Sequence, residues 1–273
     1  MARSEVGRAW IRGGGVLWFE RGVHGNDDTE RCELKNVKLY YGDCFDVMPK
    51  LKNKSVDMIM CDLPYGTTAC KWDVVIDLPS LWEQYERVCK GAVVLTAAQP
   101  FTSALVMSNV KGFKHEWIWD KVRPVGHLTA KKCRMARHEN IVVFGNTAQF
   151  YTPQMELRDK PVKGKEGKRT EIMGGESHGF ESVYTHKYPQ SIIVFNKGVA
   201  GEGKVHPTQK PIALMEYLIR TYTNEGMTVL DNCMGSGTTG VACVRTRRKF
   251  IGIENDEKYF EIAERRISAE HVQ

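Results

Sequence analysis

The chain predicts an α/β fold built on a mostly parallel sheet. Three observations carry that prediction. Short apolar runs alternate with segments of helical spacing, the pattern of strands joined by crossover helices. Two of the runs, Val56–Cys61 and Thr228–Leu230, lead straight into aspartates, Asp62 and Asp231. After Asp231 comes Gly235-x-Gly237-x-x-Gly240, a glycine-rich turn between a strand and a helix.

Taken in order, residues 1–35 hold Gly13-Gly14-Gly15, scattered arginines and little periodicity, and read as a poorly ordered arm with at most a strand over Trp10–Phe19. Val37–Tyr41 reads as a strand, and Gly42-Asp43 turns the chain into a short helix. Val56–Cys61 is a buried strand. Leu78–Lys90 has helical spacing, Ala92–Thr96 is a strand and Phe101–Asn109 a helix. His115–Trp119 and Glu139–Phe144 are further strands. Residues 147–190 carry seven Lys/Arg against six Asp/Glu and read as an irregular insertion. Ser191–Phe195 returns to strand. Lys210-Pro211 opens a helix with Pro211 in its first turn and Ile212, Met215, Ile219 and Tyr222 on one face. A strand at 228–231, a helix at 239–247, a strand at 250–254 and a helix at 256–268 complete the chain.

A length of 273 residues suits one large α/β domain with an insertion. The formal charge of +6 points only weakly to a polyanionic partner. No apolar run reaches the ~18 residues of a membrane span, and the mixed, glycine-rich N-terminus does not read as a signal peptide. Eight cysteines stand at 32, 44, 61, 70, 89, 133, 233 and 243, with no C-x-x-C pair. They read as reduced core thiols of a cytoplasmic protein, and no metal site is expected.

The glycine turn lets a ligand approach the backbone. Glu254 ends the following strand, 19 residues after Gly235, where an acid can accept hydrogen bonds from ribose hydroxyls. That pattern fits NAD, FAD or S-adenosylmethionine equally. No Lys-Ser/Thr follows the last glycine, so it is not a P-loop.

Asp62-Leu63-Pro64-Tyr65 resembles the D-P-P-Y signature of amino-group methyltransferases. Asp231-Asn232-Cys233-Met234-Gly235-Ser236-Gly237-Thr238-Thr239-Gly240 resembles their S-adenosylmethionine loop. With the signature first and the loop last, residues 36–268 are similar to the permuted, beta-class DNA amino-methyltransferases. The resemblance implies a Rossmann-like S-adenosylmethionine-dependent methyltransferase fold with a mostly parallel seven-stranded sheet. It implies methyl transfer to the exocyclic N6 amino group of a flipped adenine in double-stranded DNA. Asp62 and the Leu63 carbonyl would accept from the amine, Pro64 would hold the turn, and Tyr65 would stack on the base. An aspartate in the first position goes with adenine; relatives acting on cytosine N4 more often carry serine there. Leu63 replaces the family's usual proline, and Asn232-Cys233 its usual proline-phenylalanine.

The resemblance also assigns cofactor contacts. Asp231 would lie near the methionine moiety, with Gly235, Ser236, Gly237 and Thr238 in the loop. Asp43 would lie near the adenine end, a role compatible with a helix N-cap. His206-Pro207-Thr208-Gln209-Lys210-Pro211 matches a family block before the loop, so His206, Thr208 and Lys210 join the cofactor set. Lys71-Trp72-Asp73 resembles the loop closing over the target base, where Trp72 would stack or simply pack. Residues 121–138 hold Lys121, Arg123, Lys131, Lys132, Arg134 and Arg137 and no acid, a segment suited to phosphate contacts. The insertion 147–190 sits where the family reads its target sequence. A homodimer and a cognate restriction enzyme are partners the class allows, in a prokaryotic or phage-infected cytoplasm. Competing readings are N4-cytosine methylation, RNA or protein-amide methylation, a nucleotide-dependent oxidoreductase and a catalytically silent DNA-binding module.

Overall fold

The computed structural model describes residues 10–12, 15–17, 30–34, 36–66, 74–147, 150–163, 183–196 and 209–271. Its strands are β1 (Trp10–Arg12), β2 (Gly15–Leu17), β3 (Glu30–Leu34), β4 (Val37–Tyr41), β5 (Val56–Cys61), β6 (Cys89–Ala97), β7 (Phe113–Val125), β8 (Ala136–Gly145), β9 (Glu156–Lys163), β10 (Val183–Lys187), β11 (Ile192–Val194), β12 (Thr228–Asp231) and β13 (Lys249–Glu254). Its α-helices are α1 (Cys44–Val47), α2 (Leu78–Val88), α3 (Phe101–Ser108), α4 (Ile212–Tyr222), α5 (Thr238–Arg245) and α6 (Glu257–His271).

Two compact units form, one from Met1–Thr152 with Ser191–Gln273, the other from Pro153–Gln190. The first holds a nine-stranded sheet in the order β11-β7-β8-β6-β5-β12-β13-β4-β3. From β6 through β4 every pairing is parallel, while β8 and β3 run antiparallel to their neighbours. Seven strands were expected. Of the two strands beyond that number, one is β3, inside the segment read as a poorly ordered arm. It pairs with β4 from Glu30↔Tyr41 to Leu34↔Val37. Its five residues, ERCEL, are mostly charged, so backbone pairing rather than an apolar signal places it. The expected strand at Trp10–Phe19 is a ladder of β1 with β2; Phe19 lies outside the described residues.

Alternation along the central strands fills both faces of the sheet. Met58 and Met60 enter a core with Leu214, Leu218, Val241 and Ile267 from α4, α5 and α6. Ile59 and Cys61 enter the opposite core with Val47, Leu81, Tyr85 and Leu105 from α1, α2 and α3. Ile212, Met215, Ile219 and Tyr222, read as one face of α4, are all buried, each stabilising by about 1.5–3 kcal/mol in transfer terms.

The basic segment is not a loop from Lys121 onward. Strands β7 and β8 extend into it, down to the pair Val125↔Ala136, leaving residues 126–135 as the turn. The register slips between Asp120 and Val125. Val122 there takes φ 65°, its N–H donating to Asp120 Oδ1 at 2.8 Å. Lys121 keeps to the buried side of β7 in alternation with Trp117 and Trp119.

The second unit is the antiparallel pair β9–β10, with a shift between Tyr184 and His186. Arg158 Nε donates to His186 O, and Lys187 pairs with Glu156 at 2.9 Å. Residues 147–152 belong to the first unit instead. Thr152 N–H donates to Thr221 O at 2.8 Å, and Tyr151 packs on Tyr222.

Candidate active site

The carboxyl ends of the parallel strands open on one cleft of about 700 Å³. Gly42–Phe45 follow β4, Asp62–Tyr65 follow β5 and Ala98 follows β6, while Asp231 ends β12 ahead of Asn232–Ser236 and Glu254 ends β13 ahead of Asn255. Ligands bind at this edge in open parallel sheets, and the volume suits a nucleoside-sized ligand. Strand β12 is inserted between β5 and β13, so the glycine turn comes up beside Asp62.

At the glycine turn, Gly235 has φ 52° and no atom within 4 Å of where a Cβ would stand. This is the open cradle for a ligand. Gly237 and Gly240 answer to packing instead. A Cβ on Gly237 would meet Ala263 Cβ at 2.8 Å, and one on Gly240 would meet Phe250 at 2.7 Å. Arg266 of α6, which sequence reasoning missed, braces the turn by donating to Ser236 Oγ at 3.0 Å and Thr238 Oγ1 at 3.3 Å. Those two hydroxyls were expected on the cofactor; here they are engaged with Arg266 while still lining the cleft.

Glu254 Oε2 accepts from Gly235 N–H at 2.7 Å, and Oε1 from Asn255 and Asp256 N–H. Burial pushes its carboxyl up, and these amides only partly offset it. Burial pushes Asp231 up to about 7, against hydrogen bonds from Thr239, Cys233 N–H and Cys61. Asn232 is buried and accepts from Tyr85 OH at 2.6 Å. The pair replacing proline-phenylalanine is thus tied into the core beneath the cleft. Asp43 is the N-cap of α1, accepting from Phe45 N–H at 2.8 Å, and it also lines the cleft. The open Gly235, the acids Asp43, Asp231 and Glu254 and the ring of Phe45 make a set that fits a cationic amino-acid nucleoside.

Asp62 is heavily engaged. Its Oδ1 accepts from Thr96 Oγ1 and, at 2.8 Å, from Tyr65 OH. Its Oδ2 accepts from Lys210 Nζ at 2.6 Å. Burial raises the Asp62 carboxyl, but the Lys210 charge and these hydrogen bonds outweigh it and hold the group below the usual range. Burial and the Asp62 charge push the Tyr65 phenol well up, so it stays a donor. The Tyr65 ring stacks on Phe101 at 5.3 Å, and Lys210 Nζ lies 5.7 Å from its centroid. One side of the expected base platform is therefore already packed. Leu63 is 3% exposed and belongs to the α1–α3 core, which accounts for an apolar residue where proline is usual.

Lys210, expected on the cofactor, lines the same cleft but is engaged with Asp62. Pro211 is the N-cap of α4, one residue before the expected first turn, and Lys210 reaches from there to the end of β5. Its Nζ also lies 3.5 Å from Glu139 Oε2. Lys121, expected on phosphate, is 2% exposed and donates to Glu139 Oε1 at 3.1 Å. Arg137, from the same basic run, forms a two-pronged pair with Asp120 at 2.8 and 2.7 Å. Arg123, Lys131, Lys132 and Arg134 are exposed. The acids Asp120 and Glu139 immediately flank the run, and that was the available signal that its two ends are paired. Thr96, Glu139 and Phe101 join the site without having been singled out. Trp72, His206 and Thr208 lie outside the described residues.

The family model of the N6/N4 DNA methylases matches residues 56–265. The chain belongs to that family. The type II methyltransferase M2.LlaDCHI of Lactococcus lactis subsp. cremoris is 27% identical over 86% of this chain and 91% of its own. The DNA adenine methyltransferase YhdJ of Escherichia coli K12 is 29% identical over 84% of this chain and 82% of its own. Among solved structures, the M1.HpyAVI–SAM complex aligns with a TM-score of 0.57 and 27% identity, covering 85% of this chain and 98% of that one. The PvuII cytosine-N4 methyltransferase shares the fold at a TM-score of 0.60 and 16% identity. The enzyme is a DNA methyltransferase that uses S-adenosylmethionine. No helix among the described residues is long and apolar enough to cross a membrane.

Proposed function

We propose that this methyltransferase modifies the exocyclic N6 amino group of an adenine within a specific double-stranded DNA sequence. One observation carries the reading: Asp62 and the open Gly235 cradle line the same cleft. S-adenosylmethionine supplies the methyl group as a sulfonium. An exocyclic amine is a poor nucleophile because its lone pair is delocalised into the ring. Asp62 accepts from one amine hydrogen and the Leu63 carbonyl from the other, which localises that lone pair. Pro64 stiffens the turn, and Tyr65 walls the base pocket. Asp231, Glu254 and Asp43 hold the cofactor around Gly235, with His206 and Thr208 assigned to the same task and Trp72 to closing over the base. The aspartate in the first motif position and relatives named as adenine methyltransferases support adenine over cytosine.

The exposed Arg123, Lys131, Lys132 and Arg134 contact phosphates. The unit Pro153–Gln190 reads the target sequence, and its Arg, Lys and Gln side chains suit base edges. A type II setting, with a cognate restriction endonuclease in a prokaryotic cytoplasm, is supported by how the relatives are named. A homodimer is a further proposal, resting on the class alone.

Transfer of labelled methyl to unmethylated duplex DNA, followed by mass separation of nucleosides, tests the reading. N6-methyladenine is expected. N4-methylcytosine would overturn the base assignment, and label in RNA or protein alone would overturn the DNA substrate.

A further inference from the structure

The amine's acceptor is already occupied. Lys210 Nζ sits on Asp62 Oδ2 at 2.6 Å, at the atom a docked amine must reach. Lys210 is 8% exposed, so it has no easy exit to water. A second carboxylate is close by. Glu139 Oε2 lies 3.5 Å from the same Nζ, is buried, and has no hydrogen-bond partner among the described residues. Its other oxygen holds Lys121. The four groups form a chain, Lys121–Glu139–Lys210–Asp62, of two ammonium groups and two carboxylates.

We propose that Glu139 is a positioning residue that offers Lys210 a second seat: Lys210 caps Asp62 in the empty enzyme and moves to Glu139 Oε2 when the target amine takes Asp62. The proposal rests on the reading of Asp62 as the amine's acceptor. The exchange leaves the buried charge balanced in both arrangements, so neither state strands an unpaired ion in the interior. It turns the 3.5 Å ion pair between Lys210 and Glu139 Oε2 into a hydrogen bond at the moment when Asp62 gains its new donor. It also draws positive charge away from Asp62, so that the carboxylate faces the amine hydrogens undiminished. Lys121, on the buried side of β7 with Trp117 and Trp119, fixes the orientation of Glu139 through its other oxygen.

A purely neutralising role for Glu139 makes a different prediction, and paired variants separate the two. Glu139→Gln alone strands a buried lysine. Lys121→Met/Glu139→Gln removes one ion of each sign and keeps the interior balanced. Lys121→Met retains the second seat, so the comparison between these two enzymes isolates it. With folding checked by thermal melting and cofactor affinity by calorimetry, kcat on duplex DNA should be at least tenfold lower in the double variant than in Lys121→Met. Dissociation constants for S-adenosylmethionine should agree within about twofold, since Glu139 pairs with Lys121 and Lys210 and not with the glycine turn. Equal kcat in the two overturns the proposal, whatever their level relative to the wild type. If the double variant does not fold, the wild type crystallised with S-adenosylhomocysteine and a duplex it methylates decides. Lys210 Nζ hydrogen-bonded to Glu139 is expected; Lys210 still on Asp62 beside a docked base contradicts it. An Asp62→Ala enzyme that still turns over marks failure of the underlying reading instead.

Discussion

At the scale of single residues, burial decides which side chains carry unusual chemistry. Asp231 was legible as an acid before the glycine turn, but its protonation was not. Its carboxyl is pushed up to about 7 because it is 2% exposed, and the Asp62 charge adds to the effect. An acid whose folded pKa lies above its ordinary value binds its proton more tightly in the native state. Stability from this group is therefore greatest at low pH and is lost as pH rises from about 4 to about 7. Asp231→Asn should raise the melting temperature more at pH 8 than at pH 5. Equal shifts at both values would remove Asp231 as the source. Asp43 shows the opposite case. Its capping role follows from local sequence, and the structure places the same side chain in the cleft. Thr96 carried no local signal, and the place of Glu139 beside the basic run signalled only its pairing with that run. Their importance comes from contacts with residues far along the chain, which only the sheet order creates.

At the scale of elements, the glycine turn was legible as a turn, but its three glycines proved to serve different ends. Gly235 is open to the ligand, whereas Gly237 and Gly240 let α5 close on α6 and β13. Gly240→Ala should cost about 1–3 kcal/mol through overpacking against Ile267 and Phe250. Gly235→Ala should cost only about 1–2 kcal/mol for its positive φ, yet weaken cofactor binding more. Thermal melts and calorimetry on both variants test this; the reverse ranking in cofactor affinity would contradict it. The bodies of β7 and β8 were legible as strands, but their extension into the basic stretch was not, because Pro124 and a run of charges hide it. The turn between them keeps Lys131, Lys132 and Arg134 exposed. Replacing the three by alanine should flatten the salt dependence of DNA binding by about one unit of log–log slope per lost contact. An unchanged slope would take this turn out of the interface.

At the scale of the whole molecule, motif order told more than composition did. The order of the two motifs carried the resemblance, and in the fold the loop-bearing strand returns beside the strand that leads to Asp62. It does so as β12 against β5. The edges of the sheet were unequally legible. Strand β11 was legible as Ser191–Phe195 despite spanning only three residues, whereas β3 is mostly charged and does not stand out without its partner. The Pro153–Gln190 unit folds as its own pair of strands. Replacing it with a short linker should leave S-adenosylmethionine binding intact and abolish preference for one DNA sequence, as read by sequencing of methylated sites. Retained site preference would place recognition elsewhere.

The most direct test of the account is Asp62→Ala, assayed for methyl transfer to duplex DNA and, in parallel, for S-adenosylmethionine binding by calorimetry. The cofactor cradle lies at β12 and β13 and Asp62 at β5, so affinity should hold within a few-fold while turnover falls by about 10²–10³ or more. Turnover near the wild-type rate, or cofactor binding lost together with it, would contradict Asp62 as the acceptor of the reacting amine.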